Sequence, residues 1–335
     1  MDGAGAEGEL TAQETALYDR QIRVWGVDAQ KRLSKAHVLV CGMNGTTIEV
    51  VLLPVDLIFA CLFFKFCKNI VLAGVGSLSL MDDHVVTEDD LNANFLIPPD
   101  ESIYGGRSRA EVCCDSLKDF NPMVRVYVEK GDPSLINGEF LDKFDIIVVS
   151  GASLKTKRSK RIAFYAIDCK DSCGEIFVDL QKHSYIQKKH GGETEQQELT
   201  YPSLQEAISV PWSNLPRKTT KLYFAMRVLE NYELSEGRSP GETTLSDIPA
   251  VLALRKDMCD KMSINESQIP TALMERLLAA GKKEHPPVCA ILGGILGQEV
   301  IKSISCKGDP INNLFYFDAA DGKGVIEDIP PPPAN

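Results

Sequence analysis

Apolar positions along the chain fall into two rhythms that take turns, short runs of strand length and longer stretches at helical spacing. The first run is His37-Val38-Leu39-Val40-Cys41. Further runs of the same kind lie at Ser77 to Met81, Val124 to Val128, Asp145 to Val149, Glu175 to Asp179 and Phe315 to Asp318. Helical stretches separate them, and that alternation predicts an α/β domain with a doubly wound, Rossmann-like, mostly parallel sheet. Ahead of the first strand, Thr11 and Glu14 have capping-box spacing, so a helix should start near Ala12, run through Arg23 and stop around Gly26. Its Leu17, Tyr18, Ile22 and Trp25 are too apolar for a free helix, which predicts that it is packed. Val288 to Ile304 is apolar with Gly293, Gly294 and Gly297 among its residues, as expected of a buried helix lying close to neighbouring backbone.

One stretch breaks the rhythm. Val50 to Phe64 is nearly all apolar, yet it falls short of the roughly 20 residues a membrane helix needs and contains Pro54 and Asp56. No membrane association is expected. Removing residues 50–65 would join Gly45–Glu49 to Phe66–Gly74 as one amphipathic helix between two strands, so the segment reads as an insertion. Residues 186–198, with their Lys188-Lys189-His190-Gly191-Gly192 run, read as an exposed loop, and residues 328–335 as a disordered proline-rich tail.

Charge narrows the partners. The 335 residues carry a net charge of -11 and a pI near 5.1, which argues against nucleic acid. Against this background Lys155, Lys157, Arg158, Lys160 and Arg161 form a basic cluster, either a nuclear-import signal or an exposed helix face. The ten cysteines include no Cys-x-x-Cys, so no metal site is expected. With no secretory leader read, they are expected to be reduced thiols in a nuclear protein, with the cytoplasm as a second location.

Candidate chemistry sits at two places. After the first strand, Gly42-Met43-Asn44-Gly45-Thr46-Thr47-Ile48-Glu49 has the glycine turn and helix start of a mononucleotide-binding unit. The second and third glycines of the phosphate cradle are replaced by Asn44 and Thr47, so the turn survives while the cradle does not. Asp82 follows the second strand, where an acid would hold a ribose. The other place is the N-terminal helix, where Arg20 and Arg23 lie three apart on one side of the cylinder. A guanidinium fork suits phosphate or carboxylate, and the plainer alternative is a solvated charged face.

Taken together, Tyr18-Asp19-Arg20-Gln21-Ile22-Arg23, the turn at 42–49, Asp82 with Val85 and Leu91-Asn92-Ala93-Asn94-Phe95-Leu96, Gly106-Arg107-Ser108-Arg109-Ala110, Asn121-Pro122 and Pro287 to Lys302 resemble the ThiF/MoeB-type adenylation fold of enzymes that activate ubiquitin-like modifiers. Residues 1–327 are then a single pseudo-adenylation domain, with only 50–65 lying outside the resemblance. Within the family, the resemblance is to the small, non-catalytic subunits of the SUMO-activating branch, plant forms in particular. It implies a catalytically degenerate site. Family members that bind nucleotide carry glycines where Asn44 and Thr47 stand, an arginine at Ala93, a lysine at Arg109, and a magnesium-binding aspartate where Ser150-Gly151-Ala152-Ser153 stands.

The resemblance therefore implies no cofactor in this chain, with ATP and Mg2+ held by a large catalytic subunit in a heterodimer that acts on SUMO. It also implies that Arg20 reaches the partner's ATP site in trans. Arg23 either faces the same nucleotide or pairs with an interface carboxylate, and Trp25 anchors the packing. No segment is long enough to be a thioester-forming cysteine domain, so the cysteines are expected to be buried. Two readings from other classes remain: a dinucleotide-dependent oxidoreductase, which needs a working glycine loop, and a scaffold without chemistry, for which Arg20 is irrelevant.

Overall fold

The computed structural model describes residues 10–42, 62–87, 90–91, 96–131, 138–150, 162–188, 192–238, 241–281 and 285–330. Two short helices, α1 (Ala12–Leu17) and α2 (Asp19–Trp25), lead into α3 (Val27–Leu33) and the first strand, β1 (His37–Cys41). Thr11 and Glu14 make the expected capping box. The single N-terminal helix of the sequence reading is broken at Tyr18, which leaves helical geometry (φ -98, ψ 13) and turns its ring into the core. Leu17, expected to pack, is instead exposed.

Helix α4 (Leu62–Ala73) and strand β2 (Ser77–Met81) come next. Then follow α5 (Glu101–Tyr104), α6 (Arg109–Lys118), β3 (Arg125–Val128), α7 (Gly138–Leu141) and β4 (Ile146–Ser150). The last four residues of the apparent insertion, 62–65, form the first turn of α4, and the remainder lies outside the described residues.

The main sheet has eight strands in the order β10-β9-β6-β5-β4-β1-β2-β3, where β5 is Ala163–Lys170, β6 Cys173–Asp179, β9 Leu314–Asp318 and β10 Lys323–Glu327. Strands β1 to β5 are parallel, and the three pairings from β5 to β10 are antiparallel. Strand β5 escapes sequence reading because its alternation is muted: Ala163-Phe164-Tyr165-Ala166-Ile167-Asp168 carries apolar residues on both faces. Residues 186–188 and 194–198 are strand and not loop. They complete a two-stranded hairpin of β7 (Lys182–Lys188) and β8 (Thr194–Thr200), with Tyr185 opposite Gln197. Thr194-Glu195-Gln196-Gln197-Glu198 has no apolar alternation, and its pairing is carried by backbone hydrogen bonds that such a sequence does not announce.

Both faces of the sheet are covered, as the period of two requires. Val38, Val40, Leu78, Leu80, Ile146 and Val148 point to a core roofed by α3, α4, α6 and α12 (Pro286–Ser305). Helix α12 is long and apolar enough to cross a membrane, but more than half of its most apolar stretch is buried against the sheet and α4. It presses so close that a Cβ on Gly174 of β6 would lie 2.1 Å from Leu292. On the opposite face Leu39, Cys41, Ile147 and Val149 pack with α7. Further along that face, β6 and β9 carry α8 (Leu204–Ile208), α9 (Lys221–Ser235), α10 (Ile248–Met262) and α11 (Thr271–Ala280), with Trp212 and Ile329 among the buried residues. Ile329, expected in the tail, is therefore part of the fold. Asn313 Nδ2 donates to the Ile329 carbonyl at 2.9 Å, and Asn313 Oδ1 accepts from its N–H.

Beneath α9 lies a buried set of charges. Arg227 donates to Glu175 on β6 at 2.7 and 2.5 Å and pairs with Glu230 at 2.9 Å, while Lys170 pairs with Asp168 beside them. Burial, with Arg227 pulling the other way, pushes the Glu230 carboxyl up to about 8, and Glu175 moves in the same direction for the same reason. A carboxyl raised in the folded chain holds its proton longer than in the unfolded one. The stability it contributes is complete below the ordinary carboxylate range and is lost as pH rises through about 8. Thermal melts should show a lower Tm at pH 8.5 than at pH 6. The difference should shrink in Glu230→Gln, whose side chain no longer titrates.

Candidate functional site

Strand order changes direction between β1 and β4, and in open α/β sheets ligands bind at such a switch point, beyond the carboxyl ends of the strands. Gly42 leaves β1 there at φ +79, its N–H bonded to the Met81 carbonyl at 3.0 Å. A Cβ at Gly42 would stand 2.9 Å from the Ser150 carbonyl at the end of β4, so the turn needs glycine both for its backbone angle and for this approach. Asn44, Thr47 and Ala93 lie outside the described residues.

Asp82 lies at the end of β2, where the ribose acid was expected, but both of its oxygens are engaged. One accepts from the His84 N–H at 3.0 Å and faces His84 Nδ1 at 2.7 Å. The other faces the Arg109 guanidinium at 3.7 Å. Arg109 Nε in turn lies 2.9 Å from Asp90, whose second oxygen accepts from the Thr87 N–H and hydroxyl. The Asp82 and Asp90 side chains are essentially buried, and the Arg109 side chain is mostly so. Arg109 thus spans two carboxylates from the base of α6, whose N-terminus is fixed by a Ser108–Glu111 capping box. The sequence reading paired Asp82 with a sugar and missed Asp90; the acid three residues after Thr87 was the available signal. Asp82 bound in this way does not fit the hydroxyls of a ribose. Among the described residues no three His, Cys, Asp or Glu side chains converge as a metal-holding group.

The N-terminal helices have the opposite character, rigid below and open above. Gln21 Nε2 donates to the Leu72 carbonyl at 3.0 Å, Gln30 Nε2 to the Ala73 carbonyl at 2.9 Å, and Asn121 Nδ2 to both the Tyr18 hydroxyl and the Val71 carbonyl. Carbonyls of a last helical turn have no partner within the helix, and here side-chain amides occupy those of α4. Trp25 packs on the core as expected, its Nε1 donating to Gln30, and Lys307 Nζ donates to the Trp25 carbonyl. Gly74, at φ +82, lies under the Tyr18 ring, which a Cβ would strike at 2.4 Å. Above this base Leu17, Val24 and Val27 are 55, 77 and 46% exposed. Between them Arg20 is exposed and makes no hydrogen bond or ion pair among the described residues. Arg23 is held by Asp19 of its own helix at 2.8 Å, a pairing that neither reading of it foresaw.

Residues 65–166 match the profile of the ThiF family. The chain is 57% identical to SUMO-activating enzyme subunit 1B-1 of Arabidopsis thaliana, across 98% of its own length and 99% of that protein's. The chain belongs to the SUMO-activating enzyme subunit 1 family. Subunit 1A of the same plant is also 57% identical, and SUMO-activating enzyme subunit 1 of Homo sapiens is 31% identical over 97% of this chain and 98% of that protein. Among solved structures, the crystal structure of SeMet PaaA covers 98% of this chain and 87% of its own, with a TM-score of 0.54 at 16% identity, which establishes a shared fold.

Membership of the SUMO-activating enzyme subunit 1 family removes the oxidoreductase alternative. All the described cysteines are buried, as expected, except Cys306, which is half-buried. Burial, the largest influence on each, pushes the Cys41 and Cys173 thiols up to about 12, far from the thiolate that attack requires.

Proposed function

We propose that this chain is the non-catalytic subunit of a heterodimeric SUMO-activating enzyme, and that it supplies Arg20 in trans to an ATP site on the large subunit. The observation that carries the proposal is Arg20 itself, an exposed guanidinium without a partner among the described residues, on a helix pinned from below and flanked above by the exposed apolar residues Leu17, Val24 and Val27. An apolar surface around an exposed charge fits a face that a second protein covers. The chain's own switch point supports the same division of labour, because Arg109 already neutralises Asp82 and Asp90. On this reading ATP and Mg2+ belong to the large subunit. A guanidinium at the nucleotide offsets negative charge while the modifier's C-terminal carboxylate displaces pyrophosphate. The free cysteines suit a nuclear and cytoplasmic protein.

The test is ATP:pyrophosphate exchange with a SUMO-type modifier. This chain alone is expected to give none, and addition of the large subunit is expected to restore exchange. Exchange by the chain alone would overturn the proposal.

A further inference from the structure

Asn121, in the turn between α6 and β3, has a buried side chain that the chemistry above does not use. Its Nδ2 donates to the Tyr18 hydroxyl at 2.9 Å and to the Val71 carbonyl at 2.8 Å, and its Oδ1 accepts from the Met123 N–H at 3.1 Å. Three segments meet on this one amide: the break between α1 and α2, the last turn of α4, and the turn before β3. Tyr18 precedes Arg20 by two residues; its ring is buried, whereas Arg20 is exposed. The two side chains therefore point to opposite sides, and whatever fixes the Tyr18 phenol inward fixes Arg20 outward. Gly74 supports this by leaving room for the ring and nothing more.

We propose that Asn121 is a positioning residue for Arg20: by holding the Tyr18 hydroxyl to the end of α4 it sets the rotation and depth of α2, and with them the point to which the guanidinium is delivered. The inference rests on the reading of Arg20 as acting in trans. Asn121 is buried beneath the helices and does not reach a partner directly, so its influence on the reaction passes through Tyr18 and Arg20.

The test is pyrophosphate exchange by the purified heterodimer carrying Asn121→Ala or Tyr18→Phe, each with and without Arg20→Ala. Small displacements of a positioned group are costly, so Asn121→Ala is expected to lower kcat about tenfold or more. Tyr18→Phe should lower it in the same direction by less. KM for ATP should hold, as expected when the lost interaction is made only in the transition state. In the Arg20→Ala background neither change should lower the rate further. Wild-type kcat in both assembled variants, or losses that multiply in full with that of Arg20→Ala, would overturn the proposal. Should Asn121→Ala not fold, Tyr18→Phe decides alone, since it removes one hydroxyl and leaves the other two Asn121 bonds in place. A wild-type rate for Arg20→Ala itself overturns the in-trans reading, an outcome distinct from failure of the positioning role.

Discussion

Replacing Arg20 with alanine is expected to lower pyrophosphate exchange by the assembled heterodimer roughly a thousandfold, the scale on which arginines supplied in trans act in other phosphoryl-transfer systems. The melting temperature of the chain should not move. Arg20 is exposed and bonds to nothing among the described residues, so its removal breaks no contact and strands no buried group. Arg20→Lys should recover only part of the rate, because an ammonium restores the charge but not the planar fork. Measured together, kcat and KM separate the in-trans reading from the scaffold reading. A loss confined to kcat supports the first. A wild-type rate with Arg20→Ala leaves the chain a scaffold.

The other large effect is expected far from that helix. Arg227→Met should destabilise the chain by about 3–5 kcal/mol, the usual consequence of removing one partner from a buried ion pair. Glu175 would lose both of its short bonds to Arg227, and Glu230 its 2.9 Å contact with it, with the Tyr223 ring also losing the guanidinium that lies 5.7 Å from its centre. In a chain of this size that corresponds to a fall in Tm of roughly 10 °C. Adding Glu175→Gln should return part of the loss, since it removes a charge left without its counterion. Thermal melts of the two single variants and the double variant measure this coupling directly. Exchange per assembled heterodimer should be unchanged in whatever fraction folds, because β6 and α9 lie apart from the helices that carry Arg20. A full additive loss in the double variant would show that Glu175 and Arg227 do not act as a pair.

Much of this was legible before any coordinates, and the parts that were not share a cause. Strands β1, β2, β3, β4, β6 and β9 announce themselves as compact apolar runs between turn residues, and Thr11 with Glu14 marks a helix start by local hydrogen bonding alone. The hairpin of β7 and β8 is polar and paired through its backbone, so its residues carry no periodic signal. The break at Tyr18 was hidden for a related reason. Nothing within Leu17-Tyr18-Asp19 disfavours a helix; the phenol turns inward where Asn121, distant in sequence, donates to its hydroxyl and Gly74 leaves room for its ring. Arg20 and Asp82 were identifiable as residue types at meaningful places. That Asp82 is already occupied needed Asp90, His84 and Arg109 in space, since an ion pair between a strand end and a distant helix follows from the fold and not from spacing.

The bridge that Arg109 makes between Asp82 and Asp90 ties the end of β2 to the base of α6. A nucleotide site of this fold needs its acid uncommitted, yet here that acid belongs to the scaffold of the chain. Exchanging Arg109 for a shorter or single-pronged cation leaves at least one of two deeply buried carboxylates short of its counterion, a cost borne by folding before any nucleotide can bind. Glycines placed at Asn44 and Thr47 would leave Asp82 engaged all the same, because its partners are Arg109 of α6 and His84.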